Sequence, residues 1–251
     1  MNRSNIGKVR ECANPLALLC GWPAFAKRRR TGAVARRIGL PVIAALALAT
    51  VPAAPGAEPA AIEFRRDDAK GQMQVLIGGK EALVYCYGKD VDLPHFYPVR
   101  SPSGKSMTVE QTEPYPHHRS FWFADTVQLG TNRQVSLYNA FYSGTGDKKN
   151  PKPPFRDHIR HVDFTEQRGG SKDAELDMKL LWEMDAGKTA VLDETRRIHV
   201  VALGDGEYFL DLRFMLTASY GDVSFHSDAV HYAWPFVRLN DDFAQKAAAC
   251  S

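Results

Sequence analysis

Cysteine is scarce in this chain and never closely paired. Cys12, Cys20, Cys86 and Cys250 include no CxxC spacing, which excludes a disulfide framework and a cysteine zinc site. Acid is nearly missing from the first 57 residues, where Glu11 stands against nine Lys/Arg. From Glu58 onward 23 basic and 28 acidic residues remain, so the body carries −5 although the whole chain has a formal +3. An acidic body has no electrostatic footprint for nucleic acid, and nucleic acid is excluded as a partner. Missing too are a glycine-rich phosphate loop, a nucleophile elbow and a dinucleotide fingerprint, which argues against nucleotide chemistry. No apolar run reaches the roughly 20 residues a spanning helix needs, and no segment after Ala61 repeats with a helical period.

The first 57 residues read as an export leader. Basic residues run from Lys27 to Arg37, an uncharged and mostly apolar run extends from Gly39 to Ala54, and small residues offer cleavage after Ala53 or Ala57. The run predicts a signal helix over 39–54, a periplasmic or extracellular destination, and no stable membrane insertion once the signal is removed. The long stretch before Lys27 points to a true start downstream of Met1. Cleavage would leave Cys86, set in an apolar strand and read as simply buried, and Cys250.

From Ala61 onward, strand patterns succeed one another. Met73, Val75 and Ile77 alternate with polar neighbours, Gly78-Gly79 supplies a two-residue turn, and residues 82–87 return. Leu176, Met178, Leu180, Trp182 and Met184 interleave with Glu175, Asp177, Lys179, Glu183 and Asp185, a half-buried strand with one apolar face. Asp185-Ala186-Gly187-Lys188 turns the chain, residues 189–203 form the next strand, Gly204-Asp205-Gly206 turns again, and Tyr208 to Ala218 alternates once more. The pattern predicts an all-β protein, an antiparallel β-sandwich or jelly-roll-like fold, with one domain over 58–251. Residues 92–105 and 143–154, rich in proline and glycine, break the rhythm and are expected as irregular segments where binding groups sit.

Chemistry is densest in Pro116-His117-His118-Arg119-Ser120-Phe121-Trp122-Phe123-Ala124-Asp125. Adjacent residues on a strand face opposite ways, so His117 and His118 serve one ligand only if the backbone there is irregular. On the functional reading one imidazole is an acid or base and Arg119 anchors substrate oxygens. On the bland reading the block is a hydrogen-bonded rim with Arg119 paired to an acid. Trp122 and Phe121 divide between core packing and a stacking platform for a sugar ring. Glu194 and Arg196 share a strand face, as an ion pair or with Glu194 as a catalytic carboxylate. His158 and His161 face opposite ways and cannot chelate together. His226 and Asp228, with His231 and Tyr232 nearby, are either surface polarity or, with His117 or His118, a metal constellation; no spacing is diagnostic, so no cofactor is assigned and a metal stays open.

Tyr97-Pro98-Val99-Arg100-Ser101-Pro102-Ser103-Gly104-Lys105 and Tyr115-Pro116-His117-His118-Arg119-Ser120-Phe121-Trp122-Phe123 resemble the family of exported bacterial proteins labelled "methane oxygenase PmoA". The likeness covers roughly residues 62–243; Pro-His-His-Arg is its most specific motif, with Asp157-His158-Ile159-Arg160-His161 and Glu194-Thr195-Arg196 weaker. The methane monooxygenase subunit of that name crosses the membrane several times, which this chain does not match. The resemblance implies instead an exported β protein with a carbohydrate connection. It also implies further strands and a His-containing motif beyond Trp234-Pro235-Phe236-Val237-Arg238, where this chain runs to Ala244-Gln245-Lys246-Ala247-Ala248-Ala249-Cys250-Ser251. The domain is therefore expected to be incomplete at its C-terminus; a frameshift in a glycine-coding run would produce this, and resequencing the locus tests it.

The expected function is a glycan hydrolase or lyase acting on a carbohydrate or other small polar substrate. His117, His118 and Glu194 would be catalytic, and Arg100, Arg119, Trp122, His158 and His231 would bind substrate. A non-catalytic glycan-binding module and a metal-dependent oxygenase are the alternatives.

Overall fold

The computed structural model describes residues 60–143, 153–226 and 235–243. The leader, most of the segment 143–154, and Asp228, His231 and Tyr232 lie outside the described residues. The chain forms β1 (Ile62–Asp67), β2 (Gln72–Ile77), β3 (Lys80–Cys86), β4 (His95–Val99), β5 (Phe121–Trp122), β6 (Thr126–Leu129) and β7 (Val135–Ser136). A six-residue 3-10 helix, Leu137–Tyr142, precedes β8 (His158–Arg168), β9 (Asp173–Met184), β10 (Thr189–Gly204), β11 (Glu207–Thr217), β12 (Val223–His226) and β13 (Phe236–Val237).

These strands make antiparallel sheets in the orders β1-β2-β3-β4-β5-β13, β11-β10-β9-β8 and β12-β6-β7. The all-β antiparallel expectation holds. Gly78 and Gly79, at φ 58° and 74°, close the β2–β3 hairpin as two left-handed residues whose twist matches that of the strands. Met73 and Val75 then face the same side as Leu83 and Tyr85, and all four are buried. In β9 the alternation buries Leu176, Met178, Leu180 and Trp182; Ile198 and Val200 of β10 extend that face.

The six-stranded and four-stranded sheets pack face to face. Phe123, just after β5, stacks on Phe214 of β11 at 4.2 Å between ring centres and lies 5.8 Å from Trp182 of β9. Arg196 of β10 donates through Nη1 to the Pro94 carbonyl at 3.1 Å, and Tyr85 of β3 meets His161 of β8 at 3.3 Å. Apolar burial supplies most of the cohesion of such a sandwich.

One proline-rich segment turns out to be partly a strand. β4 lies within residues 92–105 and pairs with β3, and the register shifts between Leu83 and Tyr85, opposite Tyr97 and Pro98. Proline cannot donate to a ladder, and a register shift is where a sheet tolerates it. Among the described residues no helix is long and apolar enough to cross a membrane.

Candidate functional site

The loop between β4 and β5 carries the histidine pair, and it is bent. Tyr115 N–H donates to the Thr112 carbonyl at 3.1 Å, His118 N–H to the Tyr115 carbonyl at 3.0 Å, and Gln111 N–H to the His118 carbonyl at 2.9 Å. This turn supplies the irregular backbone that two adjacent side chains need to reach one side. The His117 and His118 rings meet edge to face, 4.4 Å apart. Tyr115, 49% exposed, stacks on His118 at 4.8 Å and nearly parallel, with 18° between the planes.

Two distant segments complete the arrangement. The 3-10 helix brings the Tyr138 hydroxyl to 2.6 Å from His118 Nε2 and the Tyr142 hydroxyl to 3.2 Å from His117 Nδ1. Beyond β13, Arg238 N–H donates to the Ser120 carbonyl at 2.7 Å, which sets its side chain against the loop. Arg238 Nη1 then donates to His118 Nδ1 at 2.9 Å, Nε to Thr112 Oγ1 at 2.9 Å, and Nη2 to the Glu113 carbonyl at 3.4 Å.

Arg238 fixes the state of His118. A guanidinium can only donate, so His118 Nδ1 must accept and the single ring proton sits on Nε2, facing Tyr138. Burial, then the neighbouring His117, then Arg238 push the His118 pKa down to about 4, and the ring is neutral at neutral pH. His117 is also held below the ordinary histidine value, first by burial and then by Arg238 and Arg119, against the opposing carboxylate of Asp92. The two rings differ in one respect that matters. Both His118 nitrogens have partners, whereas His117 Nε2 has none among the described residues on a half-buried ring.

The remaining expected site residues do not join this group. Arg119, next in sequence, is buried: its Nε and Nη2 donate to Asp92 Oδ1 at 2.9 and 2.5 Å, and it lies 5.3 Å from the Phe141 ring centre. Asp92 is fully buried and its Oδ2 has no partner among the described residues. The substrate-anchor reading of Arg119 gives way to the acid-paired one. Trp122 is 3% exposed and stacks on Phe236 at 4.9 Å, so it is core under the site rather than an open platform.

Glu194 is 1% exposed and accepts from Trp182 Nε1 at 2.7 Å and Arg196 Nε at 2.6 Å. With Arg196 also reaching Pro94, this pair bridges the sheets and leaves Glu194 no open face as a catalytic carboxylate. Arg100 donates to Glu81 Oε1 at 2.8 Å and to the Gly104 carbonyl at 3.1 Å. It lines a cleft of about 40 Å³ with Val99, Met107, Phe121, Leu210 and Leu239, but the walls are almost wholly apolar and neither His117 nor His118 is among them. His158 faces its cross-strand partner Glu183, Nε2 to Oε1 2.9 Å, as a β8–β9 pair. His226 Nδ1 lies 3.1 Å from Gln134 Nε2. Among the described residues no three His, Cys, Asp or Glu side chains converge as metal ligands.

Below the loop, His95 is buried with Nδ1 3.0 Å from the Leu93 carbonyl and Nε2 2.8 Å from Glu110 Oε2. Acceptors lie near both ring nitrogens, an arrangement that suits a protonated ring. Burial opposes its charge, but Cys86 and Glu110 outweigh that and raise the pKa to about 9. The pair ties the loop that carries the histidines to β4.

Tyr138, Tyr142, Asp92 and Arg238 were not legible as site residues. The tyrosines sit four apart in a helix too short to show a period, and Arg238 lies 120 residues from its partner His118. The model of a family of unknown function, DUF6807, matches residues 72–250. The chain belongs to this DUF6807 family. No curated protein and no solved structure matches it.

Proposed function

We propose that this DUF6807 member is an exported, carbohydrate-active protein, corresponding to the family labelled "methane oxygenase PmoA", in which His117 moves a proton at Nε2. The observation that carries the reading is the contrast between the two histidines. His118 is locked neutral between Tyr138 and Arg238, whereas His117 is steadied at Nδ1 by Tyr142 and has an uncommitted Nε2. A neutral imidazole of lowered pKa is a base, suited to removing a proton from a hydroxyl, a water or an acidic C–H. Tyr115, exposed and stacked over His118, offers an aromatic face of the kind that takes the apolar face of a sugar ring. Export rests on the basic stretch and apolar run of the leader.

Among the described residues no metal ligand set converges, and Asp228 and His231 of the expected constellation lie outside them. Non-catalytic glycan binding is favoured by the exposed Tyr115 ring. A glycan panel separates the readings. The wild-type protein is expected to release product from at least one glycan, with His117→Gln slowing release at least 100-fold and His118→Gln acting mainly through KM. Binding without turnover, weakened by Tyr115→Ala and not by His117→Gln, would establish the binding module instead.

A further inference from the structure

Arg238 is out of keeping with every other arginine at comparable burial. Among the described residues, the arginines that are not exposed are Arg100, Arg119, Arg196, Arg197 and Arg238. Arg100 meets Glu81, Arg119 meets Asp92, Arg196 meets Glu194 and Arg197 meets Asp177. Among the described residues Arg238 meets only neutral acceptors: a hydroxyl of Thr112, a ring nitrogen of His118 and the carbonyl of Glu113 at a long 3.4 Å. The Tyr115 ring, 5.8 Å from the guanidinium, adds a cation–π contact but no negative charge. A half-buried cation with no counter-charge among the described residues loses part of its hydration uncompensated, and an incoming anion would offset that cost.

The donors agree with the charge. Of the five N–H groups of a guanidinium, three are used here, and two remain, the number a carboxylate engages in a bidentate pair. Two other features place these donors at the proposed reaction site. Arg238 touches His118 directly, and its field is among those that depress His117. Tyr115 stacks on His118 and its ring centre lies 5.8 Å from the Arg238 guanidinium, so a guest held against the exposed part of Tyr115 would have its substituents within reach of Arg238.

We infer that the guest of this site is an anionic sugar, a saccharide bearing a carboxylate or sulfate that pairs with Arg238, and not a neutral glycan. This rests on the carbohydrate reading above and narrows it. Burial is the main cause of the lowered His117 value, and an anion seated on Arg238 would offset only the smaller share that Arg238 adds.

Calorimetric titration of the whole chain at pH 7 and low salt tests the inference, with trigalacturonate, its methyl ester, a neutral glucose trisaccharide, a sulfated glucose and acetate as probes. The acid is expected to bind at least tenfold more tightly than its methyl ester and the neutral trisaccharide, and to lose affinity as salt is raised. Arg238→Gln is expected to abolish the preference. Arg238→Lys, which keeps the charge and drops the fork, is expected to retain part of it and guards against a folding defect in the first variant. Tighter binding of the sulfated glucose than of the uronate would assign the anion as sulfate. Equal binding of acid and ester overturns the inference and leaves the carbohydrate reading standing. Acetate binding as tightly as trigalacturonate overturns the sugar reading while keeping Arg238 as an anion site, and no binding of any probe overturns both.

Discussion

Neighbouring residues in one motif reach opposite fates here. His117 and His118 meet the hydroxyls of Tyr142 and Tyr138, while Arg119 is buried between Asp92 and the Phe141 ring. Sequence named all three together because motif density carries no direction. Of these, Arg119 is the one to test for a structural role. Arg119→Ala would leave the fully buried Asp92 carboxylate without its counter-charge, and a loss of about 3–5 kcal/mol in denaturant unfolding is expected. The double variant Arg119→Met with Asp92→Leu is expected to recover much of that loss, since it removes both charges together. His95 makes the pH dependence asymmetric. Its folded pKa, about 9, lies above the unfolded 6.5, so its contribution is full below pH 6.5 and vanishes as pH rises through about 9. Glu110 works the other way: burial opposes its charge, but the His95 contact outweighs that and lowers its pKa below 4.5, so its share is lost in acid. Thermal unfolding followed from pH 6 to 10 is expected to show an alkaline loss on the order of 3 kcal/mol, and His95→Gln is expected to flatten it.

At the scale of elements, the strands with clean alternation were legible: β2, β3, β9, β10 and β11 lie where period-two hydrophobicity put them. Their turns were legible as well, because Gly78-Gly79 and Gly204-Asp205-Gly206 carry the positive φ values those hairpins require. β4 was hidden by Pro98, and the 3-10 helix by its length of six residues. One glycine has a role no pattern announces. A Cβ on Gly71 would sit 2.1 Å from the Gly88 Cα, where the ends of β2 and β3 pass in contact, whereas a Cβ on Gly79 meets nothing within 4 Å. Gly71→Ala is therefore expected to destabilise by more than about 2 kcal/mol. Gly79→Ala, which carries only the left-handed backbone penalty of about 1 kcal/mol, is expected to be milder in the same denaturant assay.

For the molecule as a whole, the sandwich is dictated by the strand pattern, but the candidate site is not, because it is assembled across the chain. The loop before β5, the helix after β7 and the segment after β13 meet only when the strand order β4-β5-β13 sets them side by side. Glu194 and Trp122 illustrate the converse: both have the residue types of a site, and packing seals both in the core. In this DUF6807 member, His117 is the residue proposed above to act as a neutral base on a carbohydrate. The pH profile of kcat/KM on a responsive glycan tests it directly, since that ratio reports the free enzyme. The expected profile rises with pH through a midpoint below 6.5, as His117 loses its proton, and His117→Gln removes both the rise and at least 99% of the rate. A His117→Gln protein that keeps the wild-type rate and profile would contradict it.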